Sequence, residues 1–169
     1  MVKRTSRAEI RRFISDLAKE DGMVHQRARL ALVEIGEQAV PYLAEALKDP
    51  RSPVRWEAAK ALAEIASLAA APALVDALED RDGGVRWLAG EALLAMGREG
   101  LMPLFQALTQ RSDSPLLREG AHHVLFYMLH GELDAFAAPV LEALDSAAPQ
   151  EAAMGAAQAA LNELRRGGS

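Results

Sequence analysis

Val54-Arg55-Trp56-Glu57-Ala58-Ala59-Lys60-Ala61-Leu62-Ala63-Glu64-Ile65 returns further along the chain as Val85-Arg86-Trp87-Leu88-Ala89-Gly90-Glu91-Ala92-Leu93-Leu94-Ala95-Met96. The same frame set back to start at Val24 finds Ala28, Ala31, Leu32 and Ile35. Set forward to start at Leu117 it finds Arg118, Ala121, Val124, Leu125 and Met128, with a fainter copy in Ala157, Ala160, Leu161 and Leu164. Apolar residues recur at i, i+4, i+7, i+8 and i+11, the stripe of an amphipathic helix of about three turns. Self-similarity at such a period marks a stacked array, in which each unit buries its apolar stripe only against its neighbours.

A second unit lies between these helices. Pro41-Tyr42-Leu43-Ala44-Glu45-Ala46-Leu47 matches Pro72-Ala73-Leu74-Val75-Asp76-Ala77-Leu78, and the runs from Pro103 to Leu108 and from Pro139 to Leu144 repeat it in slightly shorter form. Proline fits a first helical turn, where its missing N–H has no partner to lose. Each of the four prolines is therefore expected to open a second, shorter helix. Ser52-Pro53 and Ser114-Pro115 read as N-cap followed by the first helical residue, and Asp82-Gly83-Gly84 supplies a turn at the matching place.

Composition agrees. Of 169 residues 34 are Ala and 24 Leu, against 9 Val, 4 Ile and 2 Thr, a balance that favours helix over sheet. Cysteine is absent, which excludes disulfides, thiolate metal sites and cysteine nucleophiles. A formal charge of −5 points to no particular partner. No signal-like apolar run follows the basic opening, and charges interrupt the Ala-rich stretches before they reach spanning length, so cytoplasmic residence is the expectation.

The expected architecture is one all-α domain over 1–169, an α-solenoid of about four to five helical-hairpin repeats with capping helices. The segment 1–21 holds an N-terminal cap helix, 22–149 four two-helix repeats, and 150–169 a C-terminal cap helix. Terminal half-units turn a polar face to water. Alanine at 28, 58, 89 and 121 lets helix axes approach, and Leu32, Leu62, Leu93 and Leu125 fill the space between levels.

The pattern Val-Arg-x-x-Ala-Ala-x-Ala-Leu-x-x-Ile, followed by Ala-x-Pro-x-Leu-x-x-Ala-Leu and an Asp, resembles HEAT repeats, in particular the short Ala-rich HEAT-like type of phycobilin lyases. The resemblance implies a right-handed solenoid with the long helices outside and the Pro-initiated helices on the concave side. It also implies a polar ladder between repeats, for which Asp49 with Arg55 and Asp80 with Arg86 match, Asp113 with Arg118 is a shifted candidate, and His25 stands where the first Arg belongs. Such arrays are mostly protein-interaction scaffolds; some assist bilin attachment and a few bind DNA.

Fold alone does not supply chemistry, so the residues decide. No Walker loop, dinucleotide glycine pattern, His-Glu-x-x-His or nucleophile elbow is present, nor paired carboxylates at catalytic spacing, so neither an enzyme nor a cofactor is expected. His122, His123 and His130 form the one histidine cluster, but positions i and i+7 on a helix are about 10 Å apart, too far to share one small ion unaided. Trp56 and Trp87 beside Arg55 and Arg86 could stack on bases; duplication of one packing position is the favoured reading. The basic segment 1–30 is read as a solvated cap, the alternative being a docking face for an acidic surface. The register of the Pro-initiated helices nominates Tyr42, Glu45, Asp76, Glu79, Gln106 and Glu142 as a groove for a protein partner, one with basic groups. That acidic sign argues against nucleic acid. The expectation is a noncatalytic adaptor, with a lyase-like accessory subunit as the alternative.

Overall fold

A computed structural model describes residues 5–128 and 134–166. Ten α-helices and two 3-10 turns follow in order, with no strand among the described residues. Helices α1 (Arg7–Asp16), α2 (Gly22–Ile35), α3 (Val40–Ala46), α4 (Ser52–Ile65), α5 (Ala71–Ala77), α6 (Gly83–Ala95), α7 (Arg98–Arg111), α8 (Pro115–Met128), α9 (Asp134–Leu144) and α10 (Pro149–Arg166) form the array. The duplicated helices stack on one another, α2 on α4, α4 on α6 and α6 on α8; a second row runs from α1 to α3 and from α5 to α7. The core is the periodic set: Ala58, Ala89, Ala121, Leu32, Leu62 and Leu125 are fully buried.

Caps divide the helices much as their side chains demand. Ser6 accepts from the Glu9 N–H at 3.2 Å, Asp21 from Met23 at 2.9 Å and Asp82 from Gly84 at 2.9 Å, each satisfying a first-turn donor. Ser114 accepts from Leu117 at 3.3 Å, as its place before Pro115 requires. Ser52 is the exception: it is already helical, and Arg51 at the cap position makes no side-chain cap bond. The Arg51 side chain is instead engaged with Asp49.

The prolines also divide. Pro41 and Pro72 lie in the first turns of α3 and α5, each behind a 3-10 turn (Gly36–Gln38 and Leu68–Ala70). Pro103 and Pro139 do not open their helices; they sit inside α7 and α9, more than a turn beyond each start. In α7 the residues that elsewhere form the 3-10 turn join the helix, at the loss of the backbone bond Pro103 cannot donate. Gly100 makes this possible, since a Cβ there would lie 2.9 Å from the Leu93 carbonyl oxygen and 3.1 Å from Met96 Cβ. At the far end α10 packs on α7 and α9, burying Ala153, Ala157, Ala160, Leu161 and Leu164.

After each of α2, α4 and α6 the chain turns through a positive φ, at Gly36 (67°), Ala66 (52°) and Gly97 (62°). Alanine in the left-handed region costs about 1–2 kcal/mol, while glycine loosens the unfolded chain by about 0.4–1 kcal/mol. Ala66→Gly is accordingly expected to stabilise the protein by about 0.5 kcal/mol, raising the urea midpoint without changing the slope. A lowered midpoint would show that the Ala66 turn carries no strain.

Candidate functional site

The second-row helices present polar residues outward while burying their other face. Glu45, Asp76, Gln106 and Glu142 are exposed and Tyr42 and Glu79 half-buried, whereas Leu43, Leu74 and Leu104 are fully buried. Four of the six nominated residues are divided between two clefts. Tyr42 and Glu45 line a cleft of about 340 Å³ between α1 and α3, together with Arg11, Ile14 and Lys48. Asp76 and Gln106 line another of about 230 Å³ between α5 and α7. Glu142 lines neither of these clefts.

Charge on this face is more balanced than the acids alone suggest. Arg111, at the end of α7, donates from Nη2 to Asp76 Oδ1 at 2.9 Å and from Nη1 to Glu79 Oε2 at 2.6 Å. Glu45 meets Lys48 at 3.5 Å, both well exposed. Arg111 stands one repeat beyond Glu79, and that offset is the signal for it in the sequence.

The polar ladder lies between the two rows, in the turns that precede α4, α6 and α8. Each arginine bonds a backbone carbonyl in the turn behind it: Arg55 to Asp49 at 2.9 Å, Arg86 to Asp80 at 2.9 Å and Arg118 to Ser112 at 2.6 Å. The carboxylate contact runs to the next level. Arg55 donates from Nε to Asp80 Oδ2 at 2.6 Å and from Nη2 to Asp80 Oδ1 at 2.8 Å, a bidentate pair with side chains only 5 % and 8 % exposed. Asp80 thus gives its carbonyl to Arg86 and its carboxylate to Arg55. Burial pushes the Asp80 carboxyl up, but hydrogen bonds from Arg55 and the Asp82 N–H and the charges of Arg55 and Arg81 hold it below the usual carboxylate range. The Asp80 hydrogen bond raises Arg55 further above neutrality. Asp49 is held down chiefly by the Arg51 side-chain hydrogen bond.

The ladder position in the fourth repeat is Ser112, not Asp113, because Ser112 holds the same offset from Arg118 that Asp49 holds from Arg55. At the other end His25 turns away from Asp49 and bonds Glu57 through Nδ1 at 2.8 Å. Glu57 is buried and also faces Arg29 Nε at 3.1 Å, and Arg29 pairs with Glu64. This network replaces the missing rung. Sequence reasoning misses it, although His25, Glu57 and Arg29 fall on facing stripes of α2 and α4.

The histidines disperse. His122 Nε2 meets Asp145 Oδ1 at 3.0 Å, His123 Nε2 lies 3.4 Å from Glu91 Oε1, and His130 falls outside the described residues. Among the described residues no group of three or more His, Cys, Asp or Glu is placed to hold a metal. The two tryptophans also part. Trp56 is half-buried, with Lys60 Nζ 4.8 Å from its ring centroid and Gly84 of the next repeat against the indole. Trp87 is 56 % exposed, so the packing reading fails for it.

Arginines clamped to the turn before them recur in successive stacked hairpins, and the family model for HEAT repeats matches residues 10–94. The chain belongs to the HEAT-repeat family. The fold is an all-α solenoid of the kind typical of protein-interaction scaffolds. Solved structures similar to this HEAT array include two crystal structures of engineered proteins. The first is 24 % identical with a TM-score of 0.46, covering 93 % of this chain and 81 % of that one. The second is 23 % identical with a TM-score of 0.43, covering 89 % and 80 %. A designed armadillo repeat protein is 18 % identical with a TM-score of 0.38, covering 92 % and 99 %. No curated protein sequence matches the chain. Among the described residues no helix of the HEAT array is long and apolar enough to cross a membrane.

Proposed function

We propose that the protein is a noncatalytic scaffold or adaptor that holds a protein partner along its Pro-bearing helices, the concave side of the solenoid. The observation that carries this reading is the outward polar face of four such helices, on which Glu45, Asp76, Gln106 and Glu142 remain exposed while the opposite face is core. Stacked repeats extend a rigid surface, and exposed charges on it steer association more than they add affinity. The partner carries basic groups for Glu45 and Glu142, and Arg111 limits how far Asp76 and Glu79 contribute.

Glu45→Lys combined with Glu142→Lys tests this without breaking the Arg111 pairs. Partners captured from the native host and identified by mass spectrometry are expected to associate severalfold more slowly with the double variant at low salt, a difference that shrinks as salt rises. Helicity and melting should stay close to wild type. Equal association rates at low salt would remove these acids from the binding face.

A further inference from the structure

Two breaks in the ladder each lie beside a cavity. Beside the first, where His25 stands at the arginine place, a cavity of about 620 Å³ opens among Leu17, Val54, Trp56 and Glu57. Beside the second, where Ser112 stands at the aspartate place, a cavity of about 240 Å³ opens between α6 and α8. Between them the rung is closed by Arg55 and Asp80.

The two breaks leave different groups behind. At the first the surplus acid, Asp49, is taken by Arg51 through Nε and Nη2, both at 2.8 Å. At the second the surplus group is a cation. Arg86 is clamped as Arg55 is, through Nη1 on the equivalent carbonyl of its own turn. In Arg86 the Nε and Nη2 edge with which Arg55 clasps Asp80 meets no carboxylate among the described residues; the residue at the aspartate place of the next turn is Ser112, which has none to offer. Arg86 lines the cavity with Leu78, Gly83, Trp87, Gly120 and His123. Glu119, exposed on the rim, makes no ion pair with Arg86.

We propose that this cavity receives a carboxylate from an aspartate or glutamate side chain of a protein partner, which completes the rung from outside. The class of group follows from the donor: a planar guanidinium with one nitrogen already fixed offers two parallel N–H bonds, the match for a bidentate carboxylate. The protein source follows from what surrounds it. Trp87 at the cavity is 56 % exposed; His123 leads to Tyr127 at 4.8 Å between centroids, itself 58 % exposed, and Tyr127 to Phe126 at 5.5 Å. Exposed Trp and Tyr beside an arginine are the residue types that dominate interface energies, and the strip runs further than a small acid could cover. The site lies on the first-row helices, apart from the acidic face, so its failure leaves the scaffold reading of that face untouched.

The 169-residue chain with Trp56→Phe keeps Trp87 as its one indole and reports on the cavity by fluorescence. Two probes are titrated at constant ionic strength made up with chloride: acetate, and a capped tripeptide with a central aspartate between two leucines. Saturable quenching or enhancement is expected with both, at about tenfold lower concentration for the peptide. Arg86→Gln should weaken both by about tenfold or more. Ser112→Asp, which supplies the rung internally, should abolish binding and raise the melting temperature. That second variant keeps the test decisive if Arg86→Gln does not fold. No saturable change in the folded protein, or undiminished binding after Ser112→Asp, would overturn the proposal. Equal affinity for acetate and peptide would overturn its protein source.

Discussion

Asp80→Ala is expected to lower the unfolding free energy by about 3 kcal/mol near neutral pH, and to reduce the loss of stability in acid. Removing one partner of a buried pair typically costs about 3–5 kcal/mol, because the other charge stays buried without its counterion. Arg55 keeps the carbonyls of Asp49 and Pro50, which places the loss at the low end. The bond from the Asp82 N–H at 2.8 Å goes as well. The direction with pH follows from the carboxyl, held below its ordinary value in the fold. Its contribution is complete above the unfolded value of about 3.9 and is lost as pH falls through the lower folded value. Wild type and variant should therefore differ most above about pH 4 and converge below it. Asp49 persists in the variant and leaves a residual acid limb. Replacing both partners, Arg55→Met with Asp80→Leu, should recover much of the loss, since no charge is then stranded. Denaturant unfolding across the range from neutral to strongly acid pH reads all three. A deficit below about 1 kcal/mol at neutral pH would mean that the pair is solvated enough to matter little.

The repeat fixes which residues are core because burial at the repeat spacing is a property of the stack. Leu62 and Leu93 can be assigned from their register without knowing any neighbour. The same reasoning fails where a residue's partner lies one level away and differs from its equivalent. Asp80 and Arg86 match in sequence, yet Asp80 divides itself between two arginines, and this is visible only once levels are superposed. Ser112 takes the ladder place from Asp113 because it keeps the offset from Arg118 that Asp80 keeps from Arg86; an acid one position further along draws the eye in the sequence, but only the carbonyl contact decides between the two. Pro103 reads as a helix start because proline is costly in a helix interior; Gly100, by admitting a close approach to α6, lets the helix begin earlier despite that cost. The acids of the second row are legible as exposed, but their net charge depends on Arg111, which reaches them across the repeat boundary.

Leu62→Ala is expected to cost about 4 kcal/mol, within the range of about 2–5 kcal/mol for such truncations. Leu62 has no exposed surface, and its helix α4 is packed by α2, α3 and α6. Neighbours on three sides restrain one another, so the space left by the side chain closes little, and unclosed cavities are the costly ones. Leu161→Ala provides the comparison. It is 2 % exposed, nearly as buried, but sits on the last described helix, where α10 can settle towards α7 and α9 without disturbing a further layer. Its cost is expected nearer to about 2 kcal/mol. In an array held by nearest-neighbour interfaces, a central weakness also divides the stack, whereas an end weakness only frays it. Hydrogen exchange in the Leu62→Ala protein should thus show loss of protection in α2 and α6 as well as α4, and in the Leu161→Ala protein in α10 and its two supports alone. Equal costs at the two sites, with uniform loss of protection, would mean that the chain unfolds as one cooperative globule and that the interfaces between its repeats are not separable.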